Sequence, residues 1–160
     1  MSDEHKRFWE ILAGSRACMV TTVDNDVLRS RPMAPFIDED ARTIHFVTDS
    51  ESAKIYELHA DSDIALSFSD PGDMVFASVS GKGIVSRDRN LIKKLWGPYC
   101  DVFFDGGAEN ADVAVIKISP SQAEYWDNDK GKIATAVEMA RAYFSDGGPD
   151  LGENEKLGLD

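Results

Sequence analysis

Lys54 stands six positions after Thr48 in the segment Phe46-Val47-Thr48-Asp49-Ser50-Glu51-Ser52-Ala53-Lys54. Thr43–Thr48 reads as a short strand and Ser52–Ala60 as a helix, which puts Lys54 in the first turn of that helix. A cation is electrostatically misplaced there, because the start of a helix already carries partial positive charge. An anion at the same place removes the conflict. Free backbone N–H groups of the first turn can cradle a phosphate, with the hydroxyls of Ser50 and Ser52 beside them. The plainer alternative is a solvated lysine on an ordinary surface helix, and the segment alone does not separate the two.

A second set of candidates is Arg29-Ser30-Arg31-Pro32-Met33. Proline cannot donate to a sheet ladder, so Pro32 marks an edge or a locally unpaired backbone. Such an opening leaves backbone groups free to bond a planar heterocycle, and Arg31 could reach an anion; an edge strand with solvent-facing arginines explains the segment equally well. Trp126 closes the strand-like Glu124-Tyr125-Trp126, where it can stack on an aromatic ligand, cover a subunit interface or sit in the core. Trp96, beside Gly97-Pro98, is as ambiguous. The three histidines, His5, His45 and His59, lack metal-ligand spacing, and no metal site is expected. Cys18 and Cys100 suggest neither a metal site nor a disulfide framework. No serine or threonine can be paired with a His–Asp couple, so nucleophilic catalysis gains no support and no catalytic residue is assigned. The carboxylates are numerous, unpatterned and best read as solubilising surface.

These candidates must be positioned by a modest chain. At 160 residues, with 42% hydrophobic and 29% charged residues, one soluble domain with a real core is expected. No apolar run is long enough for a membrane span and no secretory signal is visible, so the expected address is the cytoplasm. The net charge of −12 and the lack of a basic stripe argue against nucleic acid. A small anion would be held by a local cluster acting against the global field.

The pattern predicts a helix over Asp3–Ala13 and strands over Ala17–Val23, Val27–Ile37 and Thr43–Thr48, with Asp24-Asn25-Asp26 as a tight connection. After the Lys54 helix come strands at Ile64–Ser69 and Met74–Ser86, with Gly81 and Gly83 marking a bulge or bend. A helix is expected over Arg87–Leu95 with Ser86 as N-cap, then irregular chain from Trp96 to Gly107. Strands at Asp112–Ile118 and Ala123–Trp126 and a helix at Ile133–Phe144 complete a domain over 1–144. Residues 145–160, acidic and glycine-rich, are expected to be a mobile or weakly docked tail. About six short strands with peripheral helices predict a mainly β fold, an antiparallel barrel or sandwich. There is no G-x-G-x-x-G and no P-loop.

In order and spacing across roughly Phe8–Trp126, four of these segments resemble the pyridoxamine 5′-phosphate oxidase-like family of flavin-binding split barrels, in its general stress protein branch. They are Arg29–Met33, Phe46–Thr48 with Lys54, Val79-Ser80-Gly81-Lys82-Gly83 and Glu124–Trp126. The resemblance implies a six-stranded antiparallel Greek-key split barrel and a homodimer holding two FMN molecules between subunits. It implies that Lys54 contacts the FMN phosphate with help from Ser52 and Arg31. Backbone at Arg31, Pro32 and Met33 and at Val47 and Thr48 would line the ring system and ribityl chain, and Trp126 would approach the flavin from the same or the partner subunit. FAD is admitted if the phosphate end of the cleft is open. A deazaflavin, or less readily a haem, is the alternative ligand, and a non-catalytic flavin binder the alternative function. The oxidase pattern of Arg-x-His-x-Arg after the tryptophan is replaced by Lys132, Ala134 and Ala136. Ala53 stands where the oxidase has an arginine. Authentic pyridoxamine 5′-phosphate oxidase activity is therefore not expected.

Overall fold

Ser2 opens helix α1 (Asp3–Ala13) as its N-cap, accepting a hydrogen bond from the His5 N–H, with Asp3 and Glu4 in the first turn. Phe8, Trp9 and Leu12 turn inward and Gly14 ends the helix. The computed structural model describes residues 2–127 and 153–159, so the helix expected at 133–144 lies outside the described residues. Over those residues the protein is mainly antiparallel β with short peripheral helices. Among them, no helix is long and apolar enough to cross a membrane.

Strands β1 (Cys18–Asp24) and β2 (Val27–Met33) form a hairpin. Its two-residue turn uses Asn25 and Asp26, both at positive φ (49° and 65°), the backbone that follows the strands' right-handed twist. Then come β3 (Phe36–Asp38), β4 (Thr43–Asp49), α2 (Ala53–Ala60), β5 (Asp63–Asp70) and β6 (Val75–Ser86). Helices α3 (Arg89–Leu95), α4 (Pro98–Phe103) and α5 (Gly107–Asn110) lead into β7 (Val113–Asp127), and β8 (Glu153–Gly158) follows. The strand order is β2-β1-β5-β6-β7-β4-β3, with β8 paired to the far half of β7.

Alternation decides which faces are buried. Val20 and Thr22 of β1, Ile64, Leu66 and Phe68 of β5, and Ala77 and Val79 of β6 point into one core closed by α1 and α2. β4 is buried on both faces from Thr43 to Thr48. A second cluster explains this: Val47, Val113 and Val115 pack against Ile92, Cys100 and Ala111 from the α3–α5 side.

Several expectations change in detail. The single run over 27–37 divides into β2 and β3 around Ala34 and Pro35, since a proline has no N–H to continue the ladder. Asp88, not Ser86, caps α3, accepting from the Asn90 N–H. The stretch after Trp96 is not irregular throughout: Pro98 starts α4, where its missing N–H costs nothing. The two runs near the end are one strand, β7, and its pairing with β6 shifts register between Ser80 and Gly81. Any side chain at Gly81 would collide with the Ser119 carbonyl, so the glycine is what allows β6 and β7 to approach there. Within the expected tail, residues 153–158 form β8, with Leu157 buried. Eight strands are therefore present among the described residues where six were expected, in the same antiparallel class.

Candidate functional site

The start of α2 has an unusual balance of charge. Ser52 is its N-cap but makes no side-chain capping bond, and no acidic residue occupies the first turn. Lys54, in that turn, is half-buried. Its Nζ donates to Thr48 Oγ1 at 2.9 Å, and Thr48 Oγ1 lies 3.3 Å from Ser52 Oγ. Among the described residues no carboxylate forms an ion pair with Lys54. Burial pushes its pKa below the ordinary lysine value, and the nearby Arg31 cation pushes it further; Glu57 and Asp49 act in the opposite sense.

Arg31 reaches this place from β2. Residues two apart on a strand share a face, so Arg29 and Arg31 project on the side of their β1 partners Thr22 and Val20. Arg31 Nη2 donates to Glu57 Oε2 at 2.8 Å, and its Nη1 donates to Thr22 Oγ1. Thr22 in turn donates to Glu57 Oε2. Glu57 lies one helical turn after Lys54 and is only 6% exposed. Just before the helix start, Arg87 Nη2 donates to the Ser50 carbonyl at 3.4 Å.

Two strand edges open beside these cations. Among the described residues β2 ends the sheet and pairs only with β1, the edge being one of the two readings that Pro32 allowed. β3 accompanies β4 only as far as His45, so among the described residues Phe46–Asp49 has no strand on that side. Backbone at Arg31–Met33 and at Val47–Thr48 thus has an unpaired edge able to bond a ligand.

The structure gathers Arg31, Thr48, Ser52 and Lys54 into one cluster. Pro32 is exposed, while the side chains of Met33 and Val47 belong to the two cores, leaving only their backbone for a ligand. Ser50, expected beside the phosphate, is buried and donates its hydroxyl to Asp112 Oδ1. Trp126 is 37% exposed, and no hydrogen bond or ring contact links it to Lys54 among the described residues. Thr48 pairs with Ala114, and Trp126 lies twelve residues further along β7, roughly 40 Å of extended strand. Thr22, Glu57 and Arg87 were missed. Helical spacing from Lys54 pointed to Glu57, whereas Thr22 needed the β1–β2 register.

The residues present fit a phosphorylated, ring-bearing ligand. Two cations and an uncapped helix start suit the anion, and unpaired strand backbone suits the polar edge of a ring. The mainly antiparallel sheet with few helices is of the split-barrel class. The chain belongs to the pyridoxamine 5′-phosphate oxidase-like family, whose model matches residues 3–150. Protein bli-3 of Neurospora crassa is 30% identical over 145 residues, spanning 84% of this chain and 69% of that protein. The crystal structure of a general stress protein 26 from Jannaschia sp. CCS1 superposes with a TM-score of 0.80 at 29% identity, covering 99% of both chains. A general stress FMN/FAD binding protein from Xanthomonas citri matches with a TM-score of 0.70 at 27% identity, over 80% of this chain and 92% of that one.

Proposed function

We propose that this protein binds FMN, its phosphate held at the start of α2 by Lys54 and Arg31 with the Ser52 hydroxyl. The observation that carries the reading is the half-buried Lys54 ammonium beside a second cation, with no ion-paired carboxylate of its own among the described residues. A phosphate there neutralises both cations and the helix end together. The Xanthomonas citri relative, a general stress FMN/FAD binding protein, supports a flavin as the ligand class. FAD fits the same phosphate contacts if the outer end, near Arg87, admits its second phosphate.

A homodimer accompanies this reading. Val27, Leu28, Ile84, Val102 and Phe103 are large apolar residues more than half exposed on the single chain, and a second copy would cover such a surface. In a dimer Trp126 can serve the partner's flavin, since it lies twelve residues along β7 from the position that pairs with Thr48 in its own chain.

Bound flavin would supply the redox chemistry, and this chain's residues anchor and orient it. Glu57 is buried and held by Arg31 and Thr22, so its carboxylate is not free to act as a general acid or base. That favours slow electron exchange, or a binder that stores the cofactor, over a demanding proton transfer. Anaerobic mixing with NADH and NADPH separates these, because rapid bleaching of bound flavin marks an enzyme and unchanged absorbance a binder.

The direct test is titration of apo-protein with FMN. Lys54→Ala removes one charge-assisted contact worth about 1.5–3 kcal/mol and should weaken binding roughly ten- to a hundredfold. An unchanged dissociation constant removes Lys54 from the site.

A further inference from the structure

We infer that Thr22 and Glu57 are the positioning residues of the anion site: they clamp the Arg31 guanidinium in one orientation beside the Lys54 ammonium. The inference rests on the phosphate-binding reading and says how that site is held ready.

A guanidinium on an edge strand ordinarily rotates freely and is well solvated. Arg31 is instead tied at two nitrogens, Nη1 to the Thr22 hydroxyl and Nη2 to Glu57 Oε2. Thr22 completes the triangle by donating its own proton to the same carboxylate oxygen, so its oxygen accepts from Arg31 while its O–H points at Glu57. Both partners are nearly inaccessible, Thr22 at 1% and Glu57 at 6% exposure. Two hydrogen bonds to buried acceptors fix the plane of the fork, leaving the remaining guanidinium N–H groups for a ligand.

The burial of Glu57 has no other evident purpose. An ionised carboxylate taken out of water is costly unless a cation and hydrogen bonds compensate it. Its Oε1 has no hydrogen-bond partner among the described residues, with Arg29 Nη1 at 3.9 Å. Its compensation therefore comes chiefly through Oε2 and Arg31. The same negative charge eases the repulsion between Arg31 and Lys54, whose mutual proximity lowers the Lys54 pKa while Glu57 raises it. The two cations thus lie within electrostatic reach of each other before any ligand arrives.

Thr22→Val removes the bridging hydroxyl without changing charge or much volume, so it tests orientation alone. FMN affinity should fall about tenfold, the loss of one hydrogen bond to a charged group. Riboflavin, which lacks the phosphate, should bind as to the wild type. Thr22→Ser should restore FMN binding. In an Arg31→Lys background, which lacks the fork, adding Thr22→Val should change little. Equal losses for FMN and riboflavin, or independent effects of the two substitutions, would overturn the clamp. The 15N spectrum of the ligand-free wild type gives a readout that needs no flavin. A clamped Arg31 shows separate Nη1 and Nη2 signals from slowed rotation, and a single averaged signal sinks the inference. Separate signals in a protein that does not bind FMN would uphold the clamp and reject only the flavin reading.

Discussion

The Lys54 ammonium is held below its ordinary pKa by burial and by Arg31, so in the ligand-free protein it loses its proton more readily than in the unfolded chain. The sign of the linkage follows. Between its lowered folded value and the ordinary lysine value the unfolded state binds more protons at this position, and the contribution of Lys54 to stability rises with pH across that window. A bound dianion favours the charged amine and raises its pKa, which reverses the preference. FMN binding at a pH just below the ordinary lysine value is therefore expected to take up protons, read as a dependence of calorimetric binding heat on the buffer's ionisation enthalpy. The uptake should vanish in Lys54→Ala. Proton release, or uptake that survives the substitution, would show that the amine does not meet the phosphate.

At the scale of elements, the close approach of β6 and β7 depends on Gly81, where a Cβ meets the Ser119 carbonyl. Gly81→Ala should cost roughly 1–3 kcal/mol by forcing backbone shifts. That corresponds to a drop of several degrees in the thermal unfolding midpoint, and an unchanged midpoint would mean the strands separate there without penalty. β8 tests a different junction. It extends the sheet beside the far half of β7 and inserts Leu157 into the main core. Leu157→Ala should destabilise by about 2–5 kcal/mol, a far larger effect than a residue of an undocked tail could have.

At the scale of the molecule, the proposed dimer has a definite consequence for Trp126. Sedimentation should give twice the chain mass of 17.6 kDa. Mixed dimers of Lys54→Ala and Trp126→Ala chains then decide whose tryptophan meets whose flavin. If Trp126 acts across the interface, one of the two sites in each mixed dimer regains an unmodified pair and quenches flavin fluorescence like the wild type. If it acts within its own chain, no site in the mixed dimer has both residues. The open edges of β2 and β4 make the same point structurally, since a site built on unpaired strands is completed by whatever covers them.

Local rules were sufficient to place Lys54 on a helix start, Pro32 on a sheet edge and the turn at Asn25-Asp26, because each depends on a few neighbouring residues. The mainly β class and the family were also legible, from alternation and from the order of four short segments. The sequence left three things undetermined, all dependent on contacts between distant residues. Thr22 gains its role only because antiparallel register sets Arg31 diagonally across from it. Ser50 turns to Asp112 rather than to an anion because β7 lies beside β4. Glu57 looked like one more surface carboxylate until packing buried it under Arg31. Charge and hydrogen bonding act through space, and the folded sheet decides which of the chain's many polar groups come within reach of one another.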